Sequence, residues 1–274
     1  MRRRALVWPR EHGAWGILLV SLITGAAAGF SSPANFLRLL WLAFAATAAF
    51  SMRTPLENAL PSSPLRPRSS AEWKWVKTAM AVYALSCVFA LGMLVHEGAL
   101  GLIWIPGAVA AGLFALQAMA KRFSRVGRLL GEIISAFGLT VAAMAAWAVA
   151  AGRFDPQAAV LWLMNGLFAT NQILYVQFRI QEARGSKHSS RSRVNAIFLA
   201  VEAFTVVLLI AAWRGSLIPG LALVAFLPVL ARGTLWSFRR TKQPLQIHRL
   251  GKTELGHAIL FGLLVIVAFR LFIP

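Results

Sequence analysis

The stretch FATNQILYVQFRIQEAR (168–184) closes a long apolar run that starts near Ala158, yet it carries Asn171, Gln172, Tyr175, Gln177, Arg179 and Glu182. Gln172, Tyr175 and Arg179 recur at steps of three and four, so they share one helix face; Asn165 and Asn171 lie off that line. A guanidinium flanked by an amide and a phenol can take a phosphate or carboxylate through a fork of N–H donors, without a bridging metal. Other polar residues fall at the same depth. Arg53 and Glu57 follow the second apolar run, and Gln117 precedes Lys121 and Arg122. Glu11 and His12 open the first run, and Glu254 and His257 open the last at helical i, i+3 spacing. Together they describe a polar pocket at one membrane face. In it Arg53, Lys121, Arg122 and Arg179 would receive an anionic headgroup, Gln172 and Tyr175 would orient it, and Glu57, Glu182 or Tyr175 would be the candidate acid/base. The competing reading makes the same cations anchors for helix ends.

Two ionisable residues lie deeper. Glu202 and Arg232 sit about equally far into consecutive runs, and ionisable groups inside a span point to a partner. Their depths predict a direct Glu202–Arg232 ion pair, either a lock between two helices or the charged wall of a cavity. A metal site has little behind it. His12 and His257 would meet only if the first and last spans are neighbours, and no HExxH motif or cysteine pair is present. The single Cys87 lies mid-run and offers neither a disulfide nor a redox motif. GxSxG, P-loop and dinucleotide fingerprints are absent, so no cofactor is expected.

The elements that position these residues are membrane spans. Hydrophobic residues make up 58% of the 274 residues and charged ones 14%, against about a quarter charged in soluble proteins. Nine runs are long enough for a hydrocarbon core of about 30 Å: 12–30, 35–52, 75–95, 100–119, 130–150, 158–178, 194–212, 217–237 and 254–272. The chain is expected to be all-α, a polytopic bundle of nine transmembrane helices in one domain, 1–274. The basic start lacks a small-residue cleavage site and reads as part of the first span.

Of the 28 Lys and Arg, 23 fall at the N-terminus, in the connections after spans two, four, six and eight, or, for Lys77, at the adjoining start of span three. The opposite segments hold only Arg38, Arg153, Arg214 and Arg270. The positive-inside rule then puts the N-terminus in the cytoplasm and the C-terminus outside, in a plasma (inner) membrane. The net charge of +19 is explained by loops lying against anionic headgroups, which leaves nucleic acid out as a partner. The longest connections, SMRTPLENALPSSPLRPRSS (51–70) and RIQEARGSKHSSRSR (179–193), lie four spans apart. That spacing hints at a duplicated four-helix unit plus a ninth helix. A faint echo of Phe50, Arg53 and Glu57 in Phe178, Arg179 and Glu182 accompanies it.

The segment LQAMAKRFSRVGRLLGEIISAFGLTVAAMAAW (116–147), with Lys121, Arg122 and Gly131, resembles the UbiA superfamily of intramembrane prenyltransferases, as does ILYVQFRI in span six. In detail PREHGAWGILLV (9–20) and LGKTELGHA (250–258) are most similar to the YwiC-like membrane proteins. The UbiA likeness implies a 4+4+1 bundle, an isoprenoid substrate, and Mg²⁺ held by two aspartate-rich motifs after helices two and six. Those aspartates are missing here. The chain's one aspartate, Asp155, lies on the opposite side, and the motif positions carry Arg53 with Glu57, and Gln172 and Arg179 with Glu182. Hard Mg²⁺ needs carboxylate oxygens, so Mg²⁺-dependent transfer is not expected. Two classes of function remain. One is a UbiA-like protein or transferase for a membrane lipid, an isoprenoid or another amphipathic anion. The other is a non-enzymatic carrier for a small anion, or a membrane assembly factor. The apolar VAAMAAWAVAAG (141–152) favours a pocket closed toward the outside.

Overall fold

The computed structural model describes residues 2–9, 12–60, 63, 65–120, 125–183, 188–238 and 246–272. These form an all-α membrane bundle. Eight helical stretches among them are long and apolar enough to cross a membrane, and a further apolar helix, Gly13–Gly29, is shorter. In chain order the helices are α1 (Arg2–Val7), α2 (His12–Gly29), α3 (Phe36–Ala59), α4 (Ser70–His96), α5 (Leu100–Ala120), α6 (Arg125–Ala151), α7 (Pro156–Ala183), α8 (His188–Arg214), α9 (Gly220–Val224), α10 (Leu227–Phe238) and α11 (Ile247–Phe272).

Most helices outrun the apolar stretches that announce them. α3 continues to Ala59 with Pro55 inside it, and α7 continues to Ala183, so Arg53, Glu57, Arg179 and Glu182 stand on helices where long loops are expected. The apolar run measures the hydrocarbon thickness. The helix itself goes on while Arg, Gln, Glu and Ala, all good helix formers, keep arriving. The expected eighth span is interrupted between α9 and α10. Pro228 has no N–H to offer the preceding turn, and the chain bridges the gap with tight bonds from Ala225 N–H to Ala222 and from Phe226 N–H to Leu223.

α6 and α7 form the centre of the bundle, whereas the apolar windows of α4 and α5 are only 11% buried. The Ala-rich stretch 142–151 accounts for α6. Lipid tails are as apolar as leucine, so helices associate where small side chains let backbones approach. α2 meets α6 through Gly25 and Gly29, whose backbones lie against Ala143 and Trp147. α4 packs on α3 and α5 on α6, while α4 and α5 hardly touch beyond their connecting turn. That leaves a gap between the two pairs.

Helix ends are closed by specific bonds. Ser69 caps α4 by accepting from Glu72 N–H (3.2 Å), and the Glu72 carboxylate accepts from Arg68 N–H (2.8 Å). The short segment before α3 holds the end of α6, with Ser31 Oγ and Asn35 Nδ2 both donating to the Ala150 carbonyl at 3.0 Å. Asp155 caps α7 ahead of a proline at the first helical position. Its Oδ1 accepts from Ala158 N–H (3.3 Å) and from Trp147 Nε1 (2.8 Å). Asp155→Ala is expected to cost about 1–2 kcal/mol, the worth of a helix cap, seen as a lower thermal midpoint in micelles. α1, not foreseen among the spans, buries Leu6 against α3 and α4. Asn58 Nδ2 donates to the Leu6 carbonyl (3.1 Å) and the Tyr83 hydroxyl to that of Val7 (3.3 Å).

Candidate functional site

The expected pocket divides into two places. The first lies at the end of α3. Arg53 and Glu57 are one helical turn apart, and Arg53 Nε donates to Glu57 Oε1 at 2.9 Å. Its Nη1 reaches across to Ser135 Oγ of α6 at 3.1 Å. Here Arg53 joins a cavity of about 450 Å³ that fills the gap between α3–α4 and α5–α6. Leu18, Leu42, Phe50, Leu91, Leu113 and Leu139 form much of its wall. Of its described lining, only Arg53, Gln117, Ser135 and Cys87 carry anything more polar than a thioether. The geometry is an apolar slot with a guanidinium and an amide toward one end.

The second place is a charged cluster among α7, α8, α10 and α11. Arg232 Nη1 forms a salt bridge with Glu254 Oε2, and Nη2 donates to Asn171 Oδ1 at 3.1 Å. The Arg232 guanidinium also lies 3.9 Å from the centre of the Tyr175 ring, close enough for a cation–π contact. Asn171 turns its amide nitrogen the other way, donating to Glu202 Oε1 at 3.4 Å, and Thr234 Oγ1 donates to Glu202 Oε2 at 3.1 Å. Gln172 Nε2 donates to the Glu254 carbonyl (2.8 Å), which ties α7 to α11. Arg179 Nη1 donates to the Tyr175 hydroxyl at 3.1 Å.

These contacts correct one expectation. Arg232 forms its salt bridge with Glu254, and among the described residues Glu202 is linked to it through Asn171. Counting depth on two consecutive helices leaves out the third helix that supplies the nearer carboxylate. Arg53 and Arg179 meet different groups: the first reaches Ser135 of α6, and the second donates to the Tyr175 hydroxyl of its own helix. The two candidate acid/base residues are also engaged apart from one another. Glu57 pairs with Arg53, and Glu182 Oε2 accepts from Trp236 Nε1 at 3.0 Å.

His257 Nδ1 lies 2.8 Å from the Thr253 carbonyl of its own helix. Glu11, Lys121, Arg122 and the side chain of His12 lie outside the described residues. Among the described residues no group of three or more His, Cys, Asp or Glu could hold a metal ion. At the end of α3 the donor set is one carboxylate already bridged to a guanidinium, which does not fit a Mg²⁺ site.

Sequence reasoning passed over Ser135, Thr234 and Trp236, and it set Asn171 off the face shared by Gln172, Tyr175 and Arg179, whereas Asn171 lies in the cluster. Asn171 was within reach, since it stands four residues before Tyr175 and so shares a face with it. Ser135 carried no signal, because a serine inside an apolar helix commonly bonds its own backbone.

The family model described as YwiC-like protein matches residues 8–147, which include every residue lining the cavity and none of the charged cluster. No curated protein and no solved structure matches the chain.

Proposed function

The chain belongs to the YwiC-like protein family, and from that premise we propose that it binds an amphipathic anion, an isoprenoid or another membrane lipid, in the slot between α3–α4 and α5–α6. The observation that carries this reading is the apolar cavity with Arg53 at one end. Its volume of about 450 Å³ falls within the roughly 300–1,000 Å³ of small-molecule pockets. The tail would lie against the leucines, and the head would meet Arg53, Gln117 and Ser135. The bonds to Glu57 Oε1 and Ser135 Oγ hold the Arg53 guanidinium at the end of the slot, where the head of a ligand would meet it. A phosphate or carboxylate offers the same guanidinium a bidentate contact.

In this reading the basic ends of the helices face the cytoplasm, as the positive-inside rule asks, and the head of the ligand lies in that leaflet. Arg53 stands where the UbiA likeness implies an aspartate motif, so the anion is held without a metal bridge. Transferase chemistry at this site would use Glu57 as the nearest acid/base.

The test is native mass spectrometry of the purified protein with its co-purifying lipids. Wild type is expected to retain a lipid anion or isoprenoid that Arg53→Ala loses. Arg179→Ala, which touches only the second place, is expected to keep it. An adduct unchanged in Arg53→Ala, or no specific adduct on wild type, would overturn the reading.

A further inference from the structure

We propose that the cluster of α7, α8, α10 and α11 is a proton-binding site, with Glu202 carrying the proton in the folded protein. The inference stands independently of the lipid slot. It rests on the charges that the cluster encloses. Glu202 is 4% exposed and Glu254 8%, and among the described residues Arg232 is the one guanidinium that touches either of them. Two of Arg232's nitrogens are engaged, one on Glu254 and one on Asn171, and its face lies on Tyr175, while its Nε has no hydrogen-bond partner among the described residues. Among the described residues Glu202 hydrogen-bonds to neutral donors, the Asn171 amide and the Thr234 hydroxyl.

Among the described residues, the other elements packed on α8 supply no compensating charge. α9 (GLALV) has no ionisable residue. On α7, Arg179 is bonded to the Tyr175 hydroxyl and Glu182 to Trp236, both farther toward the helix end. On α10 the charged neighbour is Arg232 itself. On α11, beyond Glu254, His257 is bonded to its own helix. Between Asn195 and Trp213, α8 carries no charge besides Glu202. With all three groups ionised the cluster would hold one negative charge in excess inside the membrane, at a cost of several kcal/mol.

One bound proton removes that excess, and the geometry accepts it. The new Oε2–H donates to Thr234 Oγ1, whose hydroxyl reverses from donor to acceptor. Oε1 goes on accepting from Asn171. Glu202 Oε1 packs closely on Gly233, where an added Cβ would lie 2.0 Å from it.

The decisive variant is Glu202→Gln, which copies a protonated carboxyl: its oxygen accepts from Asn171 and its NH₂ donates to Thr234. Infrared spectra of the full chain in lipid nanodiscs at pH 7 are expected to show a protonated-carboxyl C=O band in wild type that disappears in Glu202→Gln. The same variant should melt at or above the wild-type temperature. Absence of the band in wild type, its persistence in the variant, or a variant that fails to fold or melts well below wild type would each overturn the proposal.

Discussion

Arg232→Met is expected to destabilise the folded bundle by about 3–5 kcal/mol, the usual consequence of removing one partner from a buried ion pair. The loss has three parts in this structure. Glu254, whose Oε1 already has no hydrogen-bond partner among the described residues, would be left as an uncompensated carboxylate. Asn171 Oδ1 would lose its donor, and the face of Tyr175 would lose its cation. Thermal unfolding in micelles measures the effect. The double variant Arg232→Met/Glu254→Gln separates pair from packing, since removing both charges should restore most of the lost stability. A double variant no better than the single one would mean that Arg232 acts through its contacts with Asn171 and Tyr175.

The second large effect is expected at Gly25, where α2 and α6 approach most closely. A Cβ at this position would lie 2.2 Å from the Ala143 carbonyl oxygen, and one at Gly29 would lie 2.9 Å from that of Trp147. The obstructing atoms are backbone, so no side-chain rotamer relieves the clash and the helices must separate. Separation would also pull Ser21 and Thr24 from Asn165, to which they donate at 3.4 and 3.3 Å. Gly25→Leu should therefore exceed the roughly 1–3 kcal/mol typical of overpacked cores and leave little monodisperse protein after extraction. Gly16→Leu on the same helix is the control. Nothing lies within 4 Å of a Cβ there, and size-exclusion profiles should match wild type. Equal behaviour of the two variants would show that the α2–α6 contact is dispensable.

That the chain is a bundle of long apolar helices was legible in the sequence, because the bilayer fixes the length of each apolar run. Their inward faces were not. In soluble helices polarity marks the outside, but here lipid and core are equally apolar, so α6 and α4 read alike although one is central and the other peripheral. The distinguishing signal was residue size, present in GAAAG (25–29) and in the alanines of 142–151. Polar residues were legible individually, and Glu202, Arg232, Glu254, Gln172 and Tyr175 do gather in one cluster. Their pairing was not legible, because it depends on which helices become neighbours. α11 supplies a carboxylate to Arg232 from more than twenty residues away, and no periodicity within α10 announces it.

The separation of α4 from α5 bears on how a ligand of the proposed slot would be counted. A lipid arriving through that seam never passes through bulk water. Occupancy would then follow its mole fraction in the leaflet, and aqueous molarity would have no hold on it. Diluting the bilayer with inert phospholipid, at unchanged protein and buffer concentrations, would empty the slot.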